Sequence, residues 1–91
     1  VVPSSFHMGP AFPNPFNSSV QFLITGTSSG SLQINIFSVL GEKVDHFNVG
    51  AITDDQKLVG WTPPINISSG TYFVNAAAGT VNSTLKILYI K

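Results

Sequence analysis

The sequence predicts an all-β fold, an immunoglobulin-like antiparallel β-sandwich of six to seven short strands, and three observations carry that prediction. Apolar residues recur with period two, and no stretch of about 11 residues carries a helical stripe. Turn signals return roughly every 8–12 residues, the spacing of sandwich strands. The 91 residues include no cysteine, so no disulfide can staple the chain and a two-layer apolar core must hold it.

The elements follow in order. Residues 1–11 are punctuated by Pro3, Ser4, Gly9 and Pro10 and read as a linker from an upstream domain. The β domain then spans residues 12–91. It opens on Phe12-Pro13-Asn14-Pro15-Phe16-Asn17. Two prolines fix φ and withhold two backbone donors, so this run is neither helix nor central strand. Its phenylalanines offer apolar anchors, and its asparagines offer side-chain hydrogen bonds to the turn. Val20, Phe22 and Ile24 form the first alternating strand, and Thr25–Ser31 reads as a turn. Leu32, Ile34 and Ile36 give the cleanest alternation in the chain. Leu40-Gly41-Glu42-Lys43 follows as a hairpin turn, with Gly41 free to take positive φ. In the partner strand, Val44, His46 and Asn48 are expected on one face and Asp45, Phe47 and Val49 on the other. Thr53–Gln56 is a polar turn, Lys57–Trp61 a short strand, and Ile65–Gly70 a loop into Thr71–Ala77. Gly79 marks a last hairpin before a closing strand over Ser83–Ile90. In that strand Leu85, Ile87 and Tyr89 face one way and Lys86, Leu88 and Ile90 the other. A lysine there marks an edge and blunts edge-to-edge pairing.

Composition narrows the function. Charged residues are 9% of the chain, net charge is zero and arginine is absent. No basic stripe exists to release counterions, which speaks against nucleic acid. No run approaches the roughly 18 apolar residues of a membrane helix. Low charge with abundant Ser, Thr, Asn and Gly suits a secreted or surface-attached module. The N-terminus lacks a basic region followed by an apolar run, so any export signal is expected upstream in a longer precursor.

Motifs for chemistry are weak. Trp61 can be read as a sugar-stacking platform, but a lone tryptophan in such a domain is more often a core anchor. Tyr72 suits a tyrosine corner that ties a loop through its hydroxyl. Asp54 and Asp55, with Asp45 or Glu42, match no calcium loop. His7 and His46 lie far apart and form no metal-ligand pair. Asp45-His46 with one of many serines is not a triad signal, since no nucleophile elbow occurs. Three sequons begin at Asn17, Asn66 and Asn82 and follow readily from Asn/Ser/Thr richness. No enzyme, metal or cofactor is expected.

Five segments in order nonetheless carry a resemblance. They are Pro13-Asn14-Pro15-Phe16-Asn17; Ile34-Asn35-Ile36-Phe37-Ser38-Val39-Leu40-Gly41-Glu42-Lys43-Val44; Trp61; Ser69-Gly70-Thr71-Tyr72; and Lys86-Ile87-Leu88-Tyr89-Ile90-Lys91. Together they resemble the type A C-terminal sorting domain of the type IX (Por) secretion system of Bacteroidetes and their relatives, over roughly residues 12–91. The chain departs from that family's pattern at Ser38, usually acidic, at Glu42, usually arginine, and at Thr62-Pro63-Pro64, often Asp or Asn with Gly.

The resemblance implies a non-catalytic address label. Its partners would be the outer-membrane secretion translocon, a surface peptidase that cuts upstream, and a cargo domain in the same precursor. Its destination would be the outer-membrane surface or the medium, by way of the periplasm. The recognition residues it points to are Pro13, Asn14, Pro15, Gly41, Gly70, Tyr72, Lys86 and Lys91, with the terminal strand open to docking by strand addition. The same residues can be read as turn, corner and edge determinants of the fold. Two other readings compete: a carbohydrate-binding accessory module stacking sugar on Trp61, Tyr72 or Phe73, and a structural spacer. An exposed Trp61 would favour the carbohydrate module, a buried one the sorter or spacer.

Overall fold

The computed structural model describes residues 5–28, 30–52 and 55–91. Seven strands form two antiparallel sheets: β1 (Ser5–Phe12), β2 (Val20–Thr27), β3 (Leu32–Ser38), β4 (Lys43–Gly50), β5 (Gln56–Trp61), β6 (Gly70–Ala78) and β7 (Val81–Tyr89). One sheet has the order β1-β2-β5 and the other β4-β3-β6-β7. Crossing between the sheets is what makes this a sandwich, as the period-two pattern required. The alternating apolar residues meet between the layers. Val20, Phe22 and Ile24 of β2 face Leu32, Ile34 and Ile36 of β3, Val74 and Ala76 of β6, and Ile87 of β7, all fully or almost fully buried. Such residues each contribute roughly 1.5–3 kcal/mol of burial where the side chain is large.

The largest departure from the sequence reading is β1. Ser5–Phe12, of which all but Phe12 was read above as linker, pairs with β2 from Ser5↔Thr27 to Phe12↔Gln21. Phe6, Met8 and Ala11 enter the core. The glycine and proline that suggested a linker sit at a bulge: the register shifts between Met8 and Ala11, placing Gly9 and Pro10 opposite Leu23. A proline without an N–H is tolerated at a bulge on an edge strand. Thr25–Thr27 likewise belong to β2 and not to a turn. Gly26 has φ 126°, and a Cβ there would run into the Ser5 carbonyl and the Phe6 backbone. The glycine serves close strand approach.

β4 shows the other difference. Bulges shift its register on β3, so that Ile36 pairs with Asp45 and Phe37 with Lys43. Val44 is the extra residue, and it packs against the core together with Phe47 and Val49. The expected grouping of Val44 with the solvent-facing His46 and Asn48 fails for that reason. Asp55, in the polar turn, has φ 66°; Thr53 and Asp54 of that turn lie outside the described residues.

Strand direction sorts the connections between two poles of a body measuring 42 × 23 × 17 Å. The β1–β2, β3–β4 and β5–β6 connections lie at one pole, with the end of β7. The β2–β3, β4–β5 and β6–β7 connections lie at the other, with the start of β1.

A candidate recognition pole

The five segments that carry the family resemblance all reach the first pole. The run after β1 crosses to the outer edge of β7. Phe16 forms a parallel bridge with Tyr89: its N–H donates to the Leu88 carbonyl at 3.0 Å, and its carbonyl accepts from the Ile90 N–H at 2.8 Å. Asn14 acts as a substitute strand residue. Its Oδ1 accepts from the Leu88 N–H at 2.9 Å and its Nδ2 donates to the Lys86 carbonyl at 3.5 Å. The prolines contribute no donors of their own, and the Phe12–Pro13 and Asn14–Pro15 bonds are both cis. Pro13, Pro15, Phe16, Asn17 and Ile90 border a shallow hollow of about 360 Å³.

Beneath this crossing lies an aromatic cluster. Phe16, 2% exposed, stacks on Tyr89 with centroids 5.1 Å apart and meets Trp61 edge-on at 6.2 Å. Tyr72 lies 6.3 Å from Trp61 and 6.5 Å from Tyr89. These separations fall in the favourable aromatic range. The two phenylalanines of the opening run are therefore unequal: Phe16 is the anchor, while Phe12 is half exposed. Trp61 is 4% exposed, and its Nε1–H donates to Asp45 Oδ2 at 2.8 Å. That bond joins β5 to β4 across the flank opposite β1 and β7. Asp45 Oδ1 also accepts from the His46 N–H, so this carboxylate serves the sandwich.

Tyr72 is a tyrosine corner, as expected: its hydroxyl donates to the Ser68 carbonyl at 2.6 Å. Lys91 secures the same loop from outside. Its Nζ donates to the carbonyls of Ile65 and Ile67 at 3.1 and 3.2 Å, and its N–H to Ser69 Oγ at 2.7 Å. Gly70 opens β6 at φ 153°, and Gly41 takes φ 84° in the β3–β4 turn with open space around its Cα. Ser38 organises that turn. Its N–H donates to the Glu42 carbonyl, and its Oγ accepts from the N–H groups of Leu40 and Glu42. A hydroxyl thus does the work in the position where an acid was the expected residue. A cleft of about 560 Å³ separates the β3–β4 turn from the 64–69 loop, with Tyr72 at its base. Leu40 lines the turn side of the cleft and is 89% exposed; Ile65, in the facing loop between the lining residues Pro64 and Asn66, is 91% exposed.

The named candidates thus divide. Pro13, Asn14, Pro15, Gly41 and Lys86 are exposed, Lys91 is exposed yet hydrogen-bonded, Gly70 is half-buried and Tyr72 is buried. The β7 edge differs from its expected open state, since Asn14 and Phe16 already occupy its groups from Lys86 to Ile90. The sequence reading did not single out the exposed Leu40 and Ile65; apolar residues inside turn segments were the available signal. Trp61 and Tyr72 are closed as sugar platforms, leaving Phe73, half-buried on the outer face of its sheet. Among the described residues no three His, Asp or Glu side chains stand together as a metal site, and no helix is long and apolar enough to cross a membrane.

Fold and pole define an immunoglobulin-like β-sandwich module whose N-terminal turn is laced onto its last strand. The secretion system C-terminal sorting domain family (Por_Secre_tail) matches residues 10–91, and the chain belongs to that family. No curated protein matches it. Among solved structures, the CARDB domain of a Pyrococcus furiosus protein, crystallised with di-metal ions, is similar at 13% identity; the match covers 96% of this chain and 87% of that one, with a TM-score of 0.49.

Proposed function

We propose that this domain directs an attached cargo protein through the type IX secretion machinery to the outer-membrane surface or beyond, without catalysis of its own. The surface presented to that machinery is the pole built by Pro13-Asn14-Pro15, the Gly41 turn, the loop into Gly70, and the end of β7 with Lys86 and Lys91. The supporting observation is convergence: segments scattered from residue 13 to residue 91 assemble at one end of a 42 Å body. β1 begins at the other end, where Ser5 pairs with Thr27. A cargo joined ahead of Val1 would leave from there, with the pole unobstructed. Gly41, Gly70 and Tyr72 act by shaping the pole. Asn14, Leu40, Ile65 and Lys86 supply chemistry on its surface.

The test is a reporter fused ahead of residues 1–91 in a host with this secretion system. Removing Leu85–Lys91 is a poor variant, because Ile87 and Tyr89 are core residues and their loss would unfold the domain. Leu40→Asn with Ile65→Asn changes only exposed side chains. The proposal expects the pair to fold normally and to strand the reporter in the periplasm. Surface delivery equal to the unmodified fusion would reject the pole as the reading surface, and no delivery by the unmodified fusion would reject sorting itself.

A further inference from the structure

The outer face of the four-stranded sheet has a chemistry of its own. The register sets His46, Asn35, Asn75 and Thr84 side by side from β4 to β7, and sets Lys43, Phe37, Phe73 and Lys86 in a second row. Their strand neighbours Ile34, Ile36, Val74, Ala76 and Ile87 are buried, which fixes both rows on the solvent side. The first row is all amide, imidazole and hydroxyl. Only one bond is made within it, from Asn75 Nδ2 to Thr84 Oγ1 at 3.2 Å. At its centre Asn35 Oδ1 is covered and has no hydrogen-bond partner, a state that costs free energy and calls for an explanation. The second row pairs two half-buried phenylalanines directly across β3 and β6, with exposed lysines at both ends. Neither row contains a carboxylate. A chain of zero net charge therefore presents a face of positive sign.

We propose that this face binds a hydroxyl-rich polysaccharide that carries negative charge. Amides and hydroxyls both donate and accept, as sugar hydroxyls do. The paired Phe37 and Phe73 rings offer an apolar surface to the C–H faces of sugar rings, and Lys43 and Lys86 meet the acidic groups. Four strands about 4.8 Å apart span roughly 14 Å, room for several sugar units. Single-stranded nucleic acid fits less well, since two lysines without arginine neutralise too few phosphates. The face shares Lys86 with the recognition pole, but the proposal does not rest on the sorting role.

The test titrates the purified 91-residue chain with three probes: alginate, its neutral propylene-glycol ester, and an oligo(dT) strand. Isothermal titration calorimetry should show alginate binding, the ester bound at least about tenfold more weakly, and no binding of oligo(dT). Lys43→Gln with Lys86→Gln should weaken alginate at least about tenfold, and the loss should shrink in high salt. Phe37→Thr with Phe73→Thr should weaken both polymers, while Leu58→Thr, on the outer face of the other sheet, should change neither. If the phenylalanine variant does not fold, the lysine variant still decides, since it alters only exposed side chains. No binding of alginate, equal binding by the lysine variant, or a preference for oligo(dT) would overturn the proposal.

Discussion

Phe16→Ala removes the residue that joins the opening turn to both the aromatic cluster and the last strand. The ring is 2% exposed, stacked on Tyr89 at 5.1 Å and edge-on to Trp61 at 6.2 Å. Truncating a buried phenylalanine costs about 3–5 kcal/mol through lost transfer energy and the cavity left behind. A 91-residue domain has roughly 5–14 kcal/mol in all at about 0.05–0.15 kcal/mol per residue. The variant should therefore lose between about a fifth and nearly all of its stability. Each kcal/mol shifts Tm by roughly 4–8 °C in a domain of this size, so a fall on the order of 12–40 °C is expected. The assay is paired urea and thermal unfolding, with Phe12→Ala as control; Phe12 is 49% exposed and its truncation should stay near 0.5 kcal/mol. The backbone bonds of residue 16 to Leu88 and Ile90 need no side chain, so the alanine isolates packing from edge pairing. A loss below about 1 kcal/mol, or one matched by the Phe12 control, would refute the assignment of Phe16 as anchor.

Three further outcomes follow from the same geometry. Tyr72→Phe deletes the hydroxyl bond to Ser68 and should cost about 0.5–1.5 kcal/mol; limited proteolysis should then cut faster within the 64–69 loop, and unchanged cleavage would contradict the corner. A double-mutant cycle of Trp61→Phe and Asp45→Ala should return a coupling of roughly 1–3 kcal/mol, because the 2.8 Å bond is partly buried; independent effects would contradict it. Gly26→Ala should cost more than about 2 kcal/mol, since its φ of 126° and the Ser5 backbone both oppose a Cβ, whereas Gly41→Asn, at φ 84° with open space around it, should stay within about 1 kcal/mol because asparagine tolerates the left-handed region. Equal losses at the two glycines, read by urea unfolding, would refute that contrast.

Strands β2, β3, β6 and β7 were legible because each carries its own code: Val20, Phe22 and Ile24, or Leu32, Ile34 and Ile36, need only a period-two count. β1 was not, because Pro10 and Gly9 are turn residues by type and reveal a bulge only once Met8 and Ala11 are seen paired with Ile24 and Phe22. Tyr72 was placed correctly because a corner is a local device, closing on Ser68 four residues upstream. The lacing of Asn14 and Phe16 onto β7 joins residues more than 70 apart in sequence. No local pattern encodes such a contact; the ordered family motifs signalled that both segments mattered, but not that they touch. The exposed Leu40 and Ile65 escaped for the converse reason, since turn composition alone does not say which side chains remain uncovered.

The central claim is that the Pro-Asn-Pro-Phe segment occupies the outer edge of β7. Residue-resolved amide hydrogen exchange tests it most directly. The account predicts slowed exchange at Leu88 and Ile90, which donate to Asn14 Oδ1 and the Phe16 carbonyl, and release of Leu88 in Asn14→Ala with Ile90 still protected. Exchange at Leu88 and Ile90 as fast as at the edge amide of Lys86 would contradict it.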